Sequence, residues 1–217
     1  MIVDERMVSY INSLDRGNNE ILDSIEQKAL EDDVPIIRKE TQSLLKTLIQ
    51  LKCPESILEA GTAVGFSAIL MAIYSKPGCH ITTMENYDKR IPVAKANIKA
   101  AKMENRITLI EGDATASMED LISQGRSFDM IFIDSAKGQY LTMLPLAIRL
   151  LNPGGLLISD NVLQDGDIIE SRYAVRRRDR TIHSRMRDYL YEIKHNPELE
   201  SSILPVGDGV TISVKKG

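Results

Sequence analysis

The chain contains no tryptophan and only three phenylalanines, so no ligand pocket can be gated by tryptophan rings, and its mouth is expected to be open. It holds two cysteines, Cys53 and Cys79, far apart and without metal-binding spacing. A disulfide is not expected in a reducing compartment, and each is expected to fill a small apolar gap. No stretch reaches the roughly 20 apolar residues needed to cross a bilayer. The opening residues Met1-Ile2-Val3-Asp4-Glu5-Arg6 lack a basic flank and an apolar signal core, so a cytoplasmic protein is expected. A net charge of -4 argues against a general polyanion binder but leaves local basic patches open. Repeats, low-complexity tracts and linkers are also missing. What remains is an ordinary globular composition, 43% apolar and 27% charged, over 217 residues. One domain over 1–217, able to bury most of its apolar surface, is the expectation.

Residues 1–50 read as helical. Ile21, Ile25 and Leu30 make one apolar stripe, Leu44, Leu45 and Leu48 another, and Pro35 suits the first turn of a third helix. From residue 55 strands and helices alternate. Strands are predicted at 56–60, 80–85, 106–110, 128–133 and 155–160, and helices at 65–75, 88–102, 115–124, 140–151 and 179–195. Two strand-like runs, 201–206 and 209–215, flank Gly207-Asp208-Gly209. Five strands alternating with helices imply an α/β fold with a parallel doubly wound sheet. The final pair adds an antiparallel hairpin. The sum is a seven-stranded sheet over 51–217, with residues 1–50 as a helical lid.

In such sheets ligands bind beyond the carboxyl ends of the strands. The first predicted strand runs into Glu59-Ala60-Gly61-Thr62-Ala63-Val64-Gly65-Phe66-Ser67. Gly61 and Gly65 permit a tight turn and close approach of a ligand. The spacing is neither a dinucleotide fingerprint nor a phosphate-binding loop. Glu59 would repel a pyrophosphate and welcome a cationic ligand. Strand two ends at Glu85, which can accept hydrogen bonds from both hydroxyls of a ribose. Strand three is followed by Gly112-Asp113-Ala114, where an adenine could be edged. The alternative is that Glu59, Glu85 and Asp113 are solvated strand-end acids, Asp113 capping the next helix.

Asp134 ends the run Phe128-Asp129-Met130-Ile131-Phe132-Ile133, and Asp160-Asn161 follow Gly155-Leu156-Leu157-Ile158-Ser159. Two carboxylates and an amide carbonyl form a hard-oxygen set suited to Mg²⁺. They leave about three of its six positions for water and two adjacent substrate oxygens. Lys137 is placed to take a proton from such a substrate. The alternative for Asp160-Asn161 is a plain strand-to-loop turn.

On these residues the chain resembles the S-adenosylmethionine-dependent methyltransferases of class I, with their Rossmann-like sheet. More narrowly it resembles the cation-dependent O-methyltransferases that include catechol and caffeoyl-coenzyme A methyltransferases. The resemblance runs from about residue 34 to the end. It implies that Glu59, Gly61, Thr62 and Ser67 surround the methionine portion of S-adenosylmethionine. It further implies that Glu85 holds the ribose, that Asp113 and Ala114 lie beside the adenine, and that Asp134 serves both cofactor and metal. The stretch Asp134-Ser135-Ala136-Lys137 resembles the family's metal and base segment, and Asp160-Asn161 its second ligand pair. Leu204-Pro205-Val206-Gly207-Asp208-Gly209-Val210 resembles its closing hairpin. The chain departs from the catechol enzymes at Ala136, where those tend to carry a bulky aromatic, which puts a small free catechol in doubt.

Arg172, Arg176, Arg177, Arg178, Arg180, Arg185 and Arg187 crowd 16 residues of an acidic protein. Arginine forks suit phosphates and nucleic acid. A solvated helix start paired with Asp179 and Asp188, a dimer contact, or an acidic small molecule are the other readings. Tyr173, Tyr189 and Tyr191 could stack on bases or serve packing. The pattern is also similar to the bacterial branch of the family that methylates 5-hydroxyuridine at the tRNA wobble position. There O5 is vicinal to O4, so the pair can chelate a metal as a catechol does, and the base is accessible in a loop. The expectation is therefore a Mg²⁺-assisted O-methyltransferase acting on tRNA. A catechol-like acceptor and a non-catalytic RNA-binding protein are the alternatives. A homodimer is expected from Ile2, Val3, Met7, Val8 and Ile11 on the first helix.

Overall fold

The computed structural model describes residues 3–217, so Ile2 lies outside the described residues. Fifteen regular elements follow in chain order. Helices α1 (Glu5–Ser13), α2 (Glu20–Glu31) and α3 (Lys39–Lys52) precede β1 (Ser56–Ala60) and α4 (Phe66–Tyr74). Then come β2 (His80–Glu85), α5 (Ile91–Ala100), β3 (Ile107–Glu111), α6 (Ala114–Ser123), β4 (Phe128–Ile133) and α7 (Tyr140–Leu150). β5 (Leu151–Ser159), α8 (Arg180–His195), β6 (Leu199–Leu204) and β7 (Val210–Lys215) complete the chain. The seven strands lie in the order β3-β2-β1-β4-β5-β7-β6. β1 to β5 pair in parallel, and β7 is antiparallel to both β5 and β6. The order reverses between β1 and β4, which creates the crevice where ligands of such sheets bind.

The period-2 alternation of the strands builds the two faces. Ile57, Ile81, Met130 and Ile158 point into one core layer with Leu22, Ile25, Leu45 and Ile49. Leu58, Ile131 and Leu157 point into the other, with Met118, Tyr140, Met143, Met186 and Tyr189. Each fully buried aliphatic side chain contributes roughly 1.5–3 kcal/mol. Within the helical segment 1–50, α2 and α3 belong to the first layer, whereas α1 has no buried residue. No helix among the described residues is long and apolar enough to cross a membrane.

Several expectations need correction. Pro35 does not open α3, which begins at Lys39. Ile37 is drawn into the core and Pro35–Arg38 wall a cavity, so this stretch stays outside the helix. Cys53 fills no gap: it is exposed at the left-handed C-cap of α3, with φ 50°. Cys79 is buried as expected. β5 starts at Leu151, and a register shift opposite Phe128 and Met130 absorbs Pro153 and Gly154. For Tyr189 the packing reading holds: it is buried, its hydroxyl 2.5 Å from Ser159 Oγ.

Candidate active site

The crevice holds a cavity of about 790 Å³. Its floor is the turn after β1. Gly61 N and Thr62 N both donate to Met84 O, at 3.2 and 3.1 Å, which fastens the turn to β2. Gly61 has φ 105°, and a Cβ there would lie 1.9 Å from Asp134 O. Only glycine lets β1 and β4 approach so closely. Gly65, with φ 86°, opens α4.

Glu85 closes the same turn from β2. Its Oε2 accepts from Ala63 N at 2.7 Å, and its Oε1 from Asn86 N and Tyr87 N at 3.0 and 2.9 Å. The carboxylate is thereby fixed in the cavity wall. Gly61, Thr62, Ser67, Ala114 and Asp134 also line the cavity.

Two predicted cofactor residues do not. Glu59 is wholly buried beneath the turn rather than at its mouth. It is the penultimate residue of β1, paired in register with Thr83 on one side and Phe132 on the other. Thr83 Oγ1 donates to its Oε2 at 2.5 Å, while Oε1 has no aligned donor. Burial pushes this carboxyl up to about 7, with the Ser67 and Thr83 hydroxyls pulling the other way. Asp113 is the N-cap of α6, accepting from Ala116 N at 3.1 Å, and Gln139 Nε2 approaches its other oxygen at 3.3 Å. The capping alternative thus describes its contacts, and Ala114 and Gly112 face the cavity in its place.

Asp134, Asp160, Asn161 and Lys137 meet on the opposite wall. Asp134 N donates to Ala60 O at 2.9 Å and Asp160 N to Ile133 O at 3.0 Å, so adjacent strand ends bring the acids together. Asn161, with φ 63°, donates its amide Nδ2 to Asp134 Oδ1 at 3.1 Å and its backbone N to Asp160 Oδ1 at 2.7 Å. Tyr140 Oη donates to Asp160 O at 2.9 Å and braces the end of β5. Burial holds the Asp134 carboxyl above the usual range, against the pull of the Asn161 amide and the Lys137 charge. Asp160 is pushed up to about 7, by burial first and then by the Asp134 charge. Neither acid has an ion-pair partner among the described residues. Two recessed carboxylates that repel each other beside an amide are a donor set that a divalent cation would relieve. No group of three or more acidic, histidine or cysteine side chains suited to a metal occurs among the described residues, so Asn161 would have to complete the set.

Sequence reasoning missed Arg38, Asp165 and Asp208. Arg38 Nη2 lies 2.8 Å from Asp165 Oδ1 and 2.5 Å from Asp208 Oδ1. The Gly-Asp-Gly run carried a turn signal and a likeness to the family's closing hairpin, and its closeness to Asp160 comes from the hairpin's position beside β5. Of the seven arginines after β5, one makes an ion pair, Arg178 with Asp179 at 3.5 Å. Arg185 Nη1 instead donates to Gly138 O at 3.1 Å, next to Lys137, which places the patch at the cavity's edge. Tyr173 and Tyr191 are exposed beside it.

A family model described as O-methyltransferase matches residues 13–216. The chain is 36% identical over 127 residues to a catechol O-methyltransferase of Niastella koreensis, a match that takes in 58% of each chain. It is 32% identical over 178 residues to caffeoyl-CoA O-methyltransferase 1 of Eucalyptus globulus, covering 77% of this chain and 70% of that one. Its fold superposes on an O-methyltransferase from Bacillus cereus in complex with SAH with a TM-score of 0.86. That match has 25% identity and covers 97% of both chains.

Proposed function

The chain belongs to the O-methyltransferase family, and on that premise we propose that it methylates one of two adjacent oxygens with the help of a divalent cation. It is an S-adenosylmethionine-dependent enzyme of the catechol and caffeoyl-CoA type. S-adenosylmethionine supplies an electrophilic methyl group. In our reading Gly61, Thr62 and Ser67 border its methionine end, Glu85 accepts from the ribose, and Ala114 edges the adenine. Glu59 and Asp113 act from behind, through Ser67 and Thr83 and through the α6 cap respectively. Asp134, Asp160 and Asn161 would hold the cation, which supplies Lewis-acid polarisation of the acceptor hydroxyl. Lys137 takes the hydroxyl proton. The observation that carries this reading is the Asp134–Asp160 pair, raised in pKa, without an ion-pair partner among the described residues, and facing the same cavity as Lys137.

We propose further that the acceptor is 5-hydroxyuridine at the wobble position of a tRNA in the cytoplasm, giving 5-methoxyuridine. The support is the arginine patch. Six of its guanidiniums, those of Arg172, Arg176, Arg177, Arg180, Arg185 and Arg187, form no ion pair among the described residues, and Arg185 touches the segment that bears Lys137. Phosphates flanking a loop nucleotide would meet that patch while the base enters the cavity. A catechol-like small molecule is the second reading, favoured by the names of the relatives. The test compares methyl transfer to an anticodon stem-loop carrying 5-hydroxyuridine with transfer to free catechol, each with and without chelator. Transfer to catechol alone ends the tRNA reading. Full activity in excess chelator ends the cation reading.

A further inference from the structure

We infer that Asp208 reads the acceptor, its carboxylate accepting a hydrogen bond from an N–H or O–H that lies beside the acceptor's oxygen pair. The inference rests on the reading above that the oxygen pair enters next to Asp160, Asn161 and Lys137.

Asp208 shares the cavity wall with those three residues. It sits at the tip of the β6–β7 turn, where a polar side chain would ordinarily point to water, yet its side chain is only 18% exposed. The turn is fixed in place on three sides. Leu163 N donates to Asp208 O at 3.0 Å and Val162 N to Gly209 O at 2.9 Å, so the turn is bonded to the residues that directly follow Asn161. Gly209 has φ 92°, and a Cβ there would lie 2.3 Å from Leu163 Cγ; Gly207 has φ 57°, and a Cβ would lie 2.7 Å from Thr41 Oγ1. The backbone of this turn is therefore pressed against the loop of Asn161 and against α3. The carboxylate's distance from the oxygen site is set by covalent neighbours and backbone bonds, not by a flexible side chain.

The carboxylate is held but not saturated. Arg38 Nη2 lies 2.5 Å from the buried Oδ1, and the Asp165 carboxyl lies against the same carboxylate. The same nitrogen is shared with Asp165. One guanidinium group thus serves two acids, so the fold matches the charge of the Asp208 carboxylate only in part. A ligand donor that reaches the part of this carboxylate lining the cavity would complete its pairing.

The chemistry that fits is specific. In 5-hydroxyuracil, with O5 and O4 as the oxygen pair, the next ring atom after C4 is N3, which carries a proton. In catechol the ring positions flanking the pair carry only C–H. Pyrogallol carries a third hydroxyl there. A site that hydrogen-bonds a donor discriminates strongly against the analogue lacking it.

The test uses full-length wild type, Asp208→Ala and Asp208→Asn. Acceptors are the stem-loop with 5-hydroxyuridine, its N3-methyl counterpart, catechol and pyrogallol. We expect Asp208→Ala to lose about 10- to 100-fold in kcat/KM on the 5-hydroxyuridine stem-loop, the range of a charge-assisted hydrogen bond. On catechol and the N3-methyl acceptor it should stay within about twofold of wild type. Asp208→Asn keeps an acceptor oxygen and should recover part of the loss. Equal loss on catechol and 5-hydroxyuridine, or no loss on 5-hydroxyuridine, overturns the inference. So does a weakened Mn²⁺ affinity in Asp208→Ala by calorimetry, which would make Asp208 a cation ligand. If wild type leaves 5-hydroxyuridine unmethylated, the tRNA reading falls, and pyrogallol against catechol decides for Asp208. A wild-type preference for pyrogallol erased in Asp208→Ala upholds it, and no preference overturns it. Melting temperatures check that both variants fold.

Discussion

Single side chains decide how tightly the two ligand-bearing walls meet. At Gly61, where a Cβ would lie 1.9 Å from Asp134 O, alanine has no room and an unfavourable φ as well. Gly61→Ala is expected to lower the melting temperature, by several kcal/mol of stability, and to weaken SAH binding in calorimetry. Wild-type values for both would mean that the turn is not clamped. Glu59 gives a pH signature. Its folded pKa, about 7, lies above the ordinary value of 4.5. The folded state then holds the proton more tightly, so stability is greatest below about 4.5 and falls as pH rises toward 7. The isosteric neutral Glu59→Gln should flatten that fall and raise stability at pH 8, by on the order of 3 kcal/mol for the full shift. SAH binding should weaken in the same variant if the acid acts on the cofactor through Ser67. Parallel pH–stability curves for the two proteins would refute the assignment.

Elements were legible in the sequence wherever a period was regular. Ile57-Leu58, Met130-Ile131 and Leu157-Ile158 alternate between the two core layers, and the strand alternation that this imposes was readable directly. The strand-end acids Asp134 and Asp160 were readable for the same reason: each follows an apolar strand. Glu59 was misplaced although strand 56–60 was read with its true bounds, because a sequence does not show that the turn after Ala60 folds over the strand end and buries the carboxylate. Residues 161–179 escaped prediction because their shape comes from backbone conformations that only tertiary contacts enforce. Asn161, Gln164, Asp165 and Gly166 all have positive φ, and Arg38 anchors Asp165 from a distant segment. The arginines of this segment and of α8 were legible as a charge anomaly, but their scarcity of acidic partners was not. Removing Arg176, Arg177 and Arg178 together should weaken stem-loop binding and lower the slope of log affinity against log salt, roughly one unit for each phosphate no longer neutralised. Catechol methylation should hold, because the three side chains lie in the exposed segment just before α8, outside the cavity lining. Equal loss with both acceptors would sink RNA docking by this element.

At the scale of the whole molecule the unpaired feature is α1. It buries none of its residues, and Met7, Tyr10, Ile11 and Leu14 are 50–65% exposed. Beside it runs a largely apolar groove of about 1030 Å³, bordered by Val8, Ile11, Leu44, Leu51, Tyr74 and Val206. A contiguous apolar surface of this kind on a charged, acidic protein points to association. We expect two copies to pair through α1 and this groove, each burying the other's Ile11 and Leu14. A two-fold pair is the simplest closed arrangement, since one self-complementary patch serves both chains. Light scattering at micromolar concentration should give twice the 24.3 kDa chain mass. Ile11→Glu combined with Leu14→Glu would place four charges in a paired interface and should return the mass to 24.3 kDa. In a lone chain both positions are already in water, so the same change should then leave the melting temperature nearly untouched. Arg38 borders both this groove and the active-site cavity, so dissociation should also raise the KM for the acceptor more than that for S-adenosylmethionine. A wild-type particle of 24.3 kDa would refute the pairing outright. A dimer that survives the double substitution would move the interface away from α1.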